Sequence, residues 1–91
     1  DSPLIRFGLG NALISEQRHQ AAAGHLRAAL ELDPNYSAAW KLLGKAYAAV
    51  GDVEAATAAF RQGMKVAEAK GDIQSVKEMK VFLRRLQPHP P

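Results

Sequence analysis

The chain has 91 residues, 47% of them hydrophobic, no cysteine and a formal charge of +3. That is enough for one small domain with a modest core, and it excludes a disulfide framework and thiolate metal sites. No apolar run approaches the ~18 residues of a membrane span, and no signal peptide is visible, so a cytoplasmic protein is expected. The chain begins at Asp1 rather than Met, which fits a processed product or a domain cut from a longer protein.

Helical periodicity dominates, and nothing alternates like a strand. Helices are expected over about 3–16, 19–32, 36–50, 53–69 and 72–87. Pro3 suits the first turn of the first helix. The break near Arg18–His19 falls in "SEQRHQ", which has neither Gly nor Pro. Pro34 in "LDPNY" stops the second helix, and Asn35 is placed to cap the third. "VGD" (Val50–Asp52) and "KGD" (Lys70–Asp72) each pair a helix-ending glycine with an N-cap aspartate. The proline-rich tail "QPHPP" is expected to fray.

The third helix poses a question, because Gly44 sits at its centre between Trp40 and Tyr47. Glycine in a helix interior costs about 1 kcal/mol relative to alanine. An internal repeat supplies the reason. A shift of 34 residues superposes Leu9 on Leu43, Gly10 on Gly44, Ala12 on Ala46, Ala22 on Ala56 and Arg27 on Arg61. Conservative pairs join them: Leu13 with Tyr47, Leu26 with Phe60, Leu30 with Met64. At about 100° per residue, Trp40, Leu43, Gly44 and Tyr47 share one stripe. Gly44 then allows the next helix to come close, with Ala56 and Phe60 as the facing surface.

"WKLLGKAY", Trp40 to Tyr47, resembles the W-x2-L-G-x2-Y element of the tetratricopeptide repeat, and "ATAAF", Ala56 to Phe60, resembles its A-x3-F element. Residues 37–70 match the pattern well, and 3–36 form a degraded copy with Arg6 in place of Trp40 and Leu13 in place of Tyr47. The resemblance implies an all-α fold of antiparallel helical hairpins. Residues 71–87 do not continue the pattern, since Gln74 falls opposite Trp40 and Glu78 opposite Gly44. They read as a capping helix. Ile73, Val76, Met79, Phe82, Leu83 and Leu86 form its apolar face, with Ile73, Val76, Leu83 and Leu86 expected to bury against helix 53–69. Lys77, Lys80, Arg84 and Arg85 form its solvated side.

No constellation for catalysis or cofactor binding stands out. His19 and His25 lie on different helix faces, and no nucleophile–base–orienter set or phosphate loop is present. The expectation is a non-catalytic protein with no cofactor and no metal. In the tetratricopeptide family one sector of each first helix lines a concave groove for partner peptides. The matching residues here are Leu4, Phe7, Asn11 and Ile14 on the first helix, and Ala38, Lys41, Lys45 and Ala48 on the third. Phe7 has no place in the repeat's own packing, so it reads either as a contact surface or as docked, on a neighbouring segment or on residues before Asp1. The family's carboxylate clamp is not carried over: Asn11 matches it, but Phe7 and Leu42 replace a required lysine and asparagine.

The resemblance thus implies protein–protein interaction with a partner peptide. Acidic groups beside one large apolar residue would suit Lys41, Lys45 and the apolar half of the groove. Self-association, as a weak homodimer or within a larger assembly, is the alternative, because two repeats leave helical faces open. Nucleic acid or an anionic surface is a third reading. Residues 1–60 carry a net charge of −1 and residues 61–91 a net of +4, but the basic third lacks the interleaved aromatics that stack on bases.

Overall fold

The computed structural model describes residues 1–87; the expected fraying of the tail lies outside them. Among the described residues there are five helices: α1 (Pro3–Ser15), α2 (His19–Leu32), α3 (Ser37–Ala49), α4 (Val53–Lys70) and α5 (Ile73–Leu86). Each boundary falls within one residue of the expected one.

Local chemistry explains most of the ends. Ser2 caps α1 by accepting from the Ile5 N–H at 3.1 Å, with Pro3 in the first turn. Asp52 accepts from the Ala55 N–H at 3.1 Å, and Asp72 accepts from the Ser75 N–H at 3.1 Å and the Ser75 hydroxyl at 2.6 Å. The Ser75 hydroxyl, followed by its N–H, holds the Asp72 carboxyl below its ordinary range. Asn35 does not cap α3. Its own N–H donates to Asp33 Oδ1 at 3.0 Å, and the N-cap position passes to Tyr36, whose side chain makes no cap bond. Asp33 and Pro34 form the turn first, which leaves Asn35 one residue too early.

Three helices end with the same closing geometry. Arg18 donates to the Leu13 carbonyl, Asp52 to that of Tyr47 and Asp72 to that of Ala67, each N–H reaching back five residues. The residue before each donor is left-handed: Gly51 at φ 83°, Gly71 at φ 75° and Gln17 at φ 61°. Gln17 is the repeat equivalent of Gly51, which is why the first break carries no glycine signal. A side chain in this region costs about 1 kcal/mol. Gln17→Gly is therefore expected to raise stability by about 1 kcal/mol and the melting temperature by about 4–8 °C. An unchanged or lower melting temperature contradicts the strain assigned to Gln17.

Gly10 and Gly44 mark equivalent contacts in the two hairpins. A Cβ on Gly10 would lie 2.7 Å from Leu26 Cγ, and one on Gly44 would lie 2.5 Å from Phe60 Cε1. Leu26 and Phe60 are both fully buried. The missing Cβ lets α2 approach α1, and α4 approach α3, at the same place in each repeat.

Stacking follows from these hairpins. α3 packs on both α2 and α4, and α5 packs on α4 and α3. α1, α3 and α5 lie side by side, while α2 and α4 flank them without touching each other. α5 docks through Met79, which is fully buried, with Val76, Phe82, Leu83 and Leu86 around the cluster of Phe60 and Ala67. The Phe82 ring stacks on Phe60 with centroids 5.3 Å apart. Ile73 departs from expectation and is 59% exposed. The buried stripe of α5 centres on Val76, Met79 and Leu83, and Ile73, the first residue of the helix, lies off its edge.

Candidate functional site

The eight groove residues expected from sequence divide into two groups. On α1, Phe7 and Ile14 turn inward and pack against the core that includes Leu26, Leu30 and Leu42. Phe7 stacks on Tyr36 with ring centroids 5.0 Å apart, so of the two readings of Phe7 the structure takes the docked one. The α2–α3 turn brings Tyr36 there, a contact that helical periodicity does not reveal. Leu4 is 70% exposed, and Asn11 is also exposed on the outer side of α1.

On α3, the groove sector meets α5. Lys41 Nζ pairs with Glu78 Oε1 at 3.0 Å. Lys41 and Lys45 therefore do not stand free as a pair, and the expectation that both reach one ligand is corrected for Lys41. An ion pair this exposed contributes at most about 1 kcal/mol, but it fixes where the ammonium points. Ala38 is half-buried one turn earlier. Lys45 is exposed, and its Nζ lies 5.5 Å from the centroid of the Phe82 ring. The Arg85 guanidinium carbon lies 5.8 Å from the same centroid. Both cations sit in range of the ring's quadrupole, an interaction of about 0.5–1 kcal/mol at exposed sites.

These groups border a cleft of about 340 Å³ between α3 and α5, lined by Lys45, Ala48, Ala49, Phe82, Arg85 and Leu86, with Phe60 at its floor. Ala48 and Ala49 keep the α3 wall low. Phe82 and Leu86 make the α5 wall apolar. The cleft can take an apolar side chain and offers two cations at its rim. Arg85 and Phe82 are the members that a groove drawn from first helices alone leaves out. Their signal in the sequence is the aromatic within the basic run of residues 77–85.

A second depression, of about 710 Å³, opens on the other side, between α2 and α4. Trp40, Leu43 and Tyr47 form its floor, with Arg27, Glu31 and Gln62 at its edge. The indole N–H of Trp40 donates to the Pro34 carbonyl at 2.8 Å, and Arg27 donates to the Tyr47 hydroxyl at 3.0 Å. The two aromatics thus tie α3 to α2 and to the turn between them, and they also border solvent. Among the described residues, no cluster of His, Asp and Glu is placed to hold a metal ion, and no helix is long and apolar enough to cross a membrane. His25 Nδ1 lies 3.0 Å from an Arg6 guanidinium nitrogen, and His19 lies elsewhere on α2.

The arrangement of paired hairpins has close counterparts. The family model described as tetratricopeptide repeat matches residues 2–78. A TPR repeat-containing protein of Pseudomonas aeruginosa is 50% identical over 86 residues, covering 94% of this chain and 82% of that protein. A Bordetella parapertussis protein solved in solution superposes with a TM-score of 0.85 at 49% identity, over 94% of this chain and 75% of that one. A tetratricopeptide repeat domain protein of Salinibacter ruber, also solved in solution, gives 0.85 at 22% identity over 98% and 93% of the two chains, a likeness of fold alone. With the glycine-centred hairpins, the matching family model and a half-identical relative in agreement, the chain belongs to the tetratricopeptide repeat family.

Proposed function

We propose that this protein is a non-catalytic interaction module whose recognition site is the cleft between α3 and α5. The fold is in general a protein–protein interaction module. What supports this particular site is one observation: Lys45 and Arg85 approach the Phe82 ring at the rim of an apolar cleft. The preferred ligand is a short segment with one large apolar side chain for the cleft and an acidic side chain or terminal carboxylate for the two cations. A cleft of this size gives weak binding, with a Kd of about 10 μM or above.

A peptide array tests the ligand class. Peptides with a carboxylate one to three residues from Leu, Ile or Phe are expected to bind best. Lys45→Glu/Arg85→Glu is expected to weaken those peptides at least tenfold and to invert the preference for acidic over basic flanks. Lys41→Glu is expected to change the ranking far less, because Lys41 is held by Glu78. Binders whose ranking the double substitution leaves unchanged would place recognition elsewhere.

A further inference from the structure

The outer face of α1 exposes Leu4, Ile5 and Leu9 together, and the internal repeat shows how such a face is normally covered. On α3 the residues Ala39, Leu42, Leu43 and Ala46 are all buried, in the core shared with Ala23, Leu26 and Leu30 of α2. Their equivalents 34 residues earlier are Ile5, Gly8, Leu9 and Ala12. All four are exposed: Leu43 is 4% accessible, whereas Leu9 is 44% and Ile5 61%. The first repeat presents the face that α2 covers in the second repeat, and among the described residues no helix lies over it.

We infer that this face is covered by a second copy of the chain, through a two-fold antiparallel contact between α1 helices. Charge selects this occupant. The charged residue within α1 is Arg6, and Asp1 engages it at 2.9 Å, off the exposed stripe. The opposite end of the stack, the outer face of α5, exposes Lys77, Lys80 and Arg84. A head-to-tail contact would bury those ammonium and guanidinium groups against Ile5 and Leu9 without counter-charges. A like-to-like contact buries chiefly apolar surface on apolar surface, with Asn11 as the polar member and no charged side chain on the stripe.

Shape supports the same choice. Two antiparallel α1 helices related by an axis at Gly8 set Leu4 of one copy against Ala12 of the other, Ile5 against Asn11, and Gly8 against Gly8. Leu4 and Ile5 each meet a smaller side chain, and the two glycines let the backbones approach, so the face is complementary to itself as an isologous contact requires. A Cβ on Gly8 would meet nothing within 4 Å in the single chain, so the space above it is open for a partner helix. The contact is modest in area. α1 has 13 residues and is about 20 Å long, so a pair buries less than the roughly 1,200–2,000 Å² of stable interfaces. A dissociation constant on the order of 100 μM is expected.

Sedimentation equilibrium on the 91-residue chain from about 10 μM to about 1 mM brackets that constant. The wild type is expected to rise from the monomer mass toward twice that mass and to stop there. Gly8→Glu places a charge at the axis without touching the monomer's packing. It is expected to remain monomeric throughout while melting no lower than the wild type. Val81→Glu, on the outer face of α5, is expected to dimerise like the wild type. A wild type that stays monomeric at 1 mM overturns the inference. So does growth beyond the dimer, which marks head-to-tail association, and so does a Gly8→Glu variant that dimerises normally. The proposed peptide cleft lies between α3 and α5, so its array, run at about 10 μM, stands or falls independently.

Discussion

A chain ending at residue 70 is expected to lose cooperative folding. Removing α5 uncovers Phe60 and Ala67 and deletes Met79, each fully buried, together with the half-buried Val76, Phe82, Leu83 and Leu86. Truncating one buried methionine to alanine costs about 2–5 kcal/mol, and a domain of this length has a total stability of only about 5–14 kcal/mol. Loss of the whole helix therefore approaches or exceeds what the fold has available. The truncated chain is expected to aggregate or to show no sharp thermal transition. Met79→Ala in the full chain is expected to fold but to melt roughly 10 °C or more below wild type. A soluble, monomeric 1–70 chain with the wild-type melting curve contradicts this role for α5.

Gly44→Leu is expected to cost about 3 kcal/mol or more. Even the first added atom, a Cβ, would sit 2.5 Å from Phe60 Cε1 and 2.7 Å from Cδ1 and Cζ. The ring has little room to yield, because it is fully buried and stacked on Phe82 at 5.3 Å. Overpacking of this kind costs about 1–3 kcal/mol and sometimes more, while helix propensity returns about 1 kcal/mol. Gly44→Ala is thus expected to be net destabilising by about 1–2 kcal/mol. Gly10→Ala is expected to cost less, because the Cβ would meet Leu26, whose side chain can change rotamer where a stacked ring cannot. Phe60→Leu in the Gly44→Ala background is expected to recover part of the loss, giving a favourable coupling in a double-mutant cycle. Wild-type thermal stability of Gly44→Leu would remove the reason given for the glycine.

The parts of the fold that were legible in the sequence are those fixed by local chemistry or by the 34-residue correspondence. Asp52 and Asp72 cap as their positions after Gly51 and Gly71 indicate. Gly44 meets Phe60 because both are placed by a repeated pattern, and Gly10 meets Leu26 for the same reason. Asn35 misleads because Asp33 competes for the same turn. Gln17 misleads in the opposite sense, since it occupies a left-handed position that glycine usually announces.

The candidate site was less legible because it depends on how α5 lies across α3. Lys41 and Glu78 are 37 residues apart, and only docked helices bring them together. The same docking carries Phe82 and Arg85 to Lys45. Read from the sequence, Phe82 is core and Arg85 is solvated surface; in the fold both stand at one rim. Leu9 shows a further limit of the repeat comparison. It matches Leu43 in type, but α2 covers Leu43, whereas among the described residues no helix covers Leu9.

Amide chemical-shift mapping during titration with the best acidic–apolar peptide from the array tests the placement of recognition most directly. The largest changes are expected at Lys45, Ala48, Ala49, Phe82 and Arg85, which line the α3–α5 cleft, and they are expected to vanish in Lys45→Glu/Arg85→Glu. Changes centred instead on Trp40, Tyr47 and Gln62, or on Ile5 to Ala12, with the α3–α5 cleft unmoved, would contradict the proposed site.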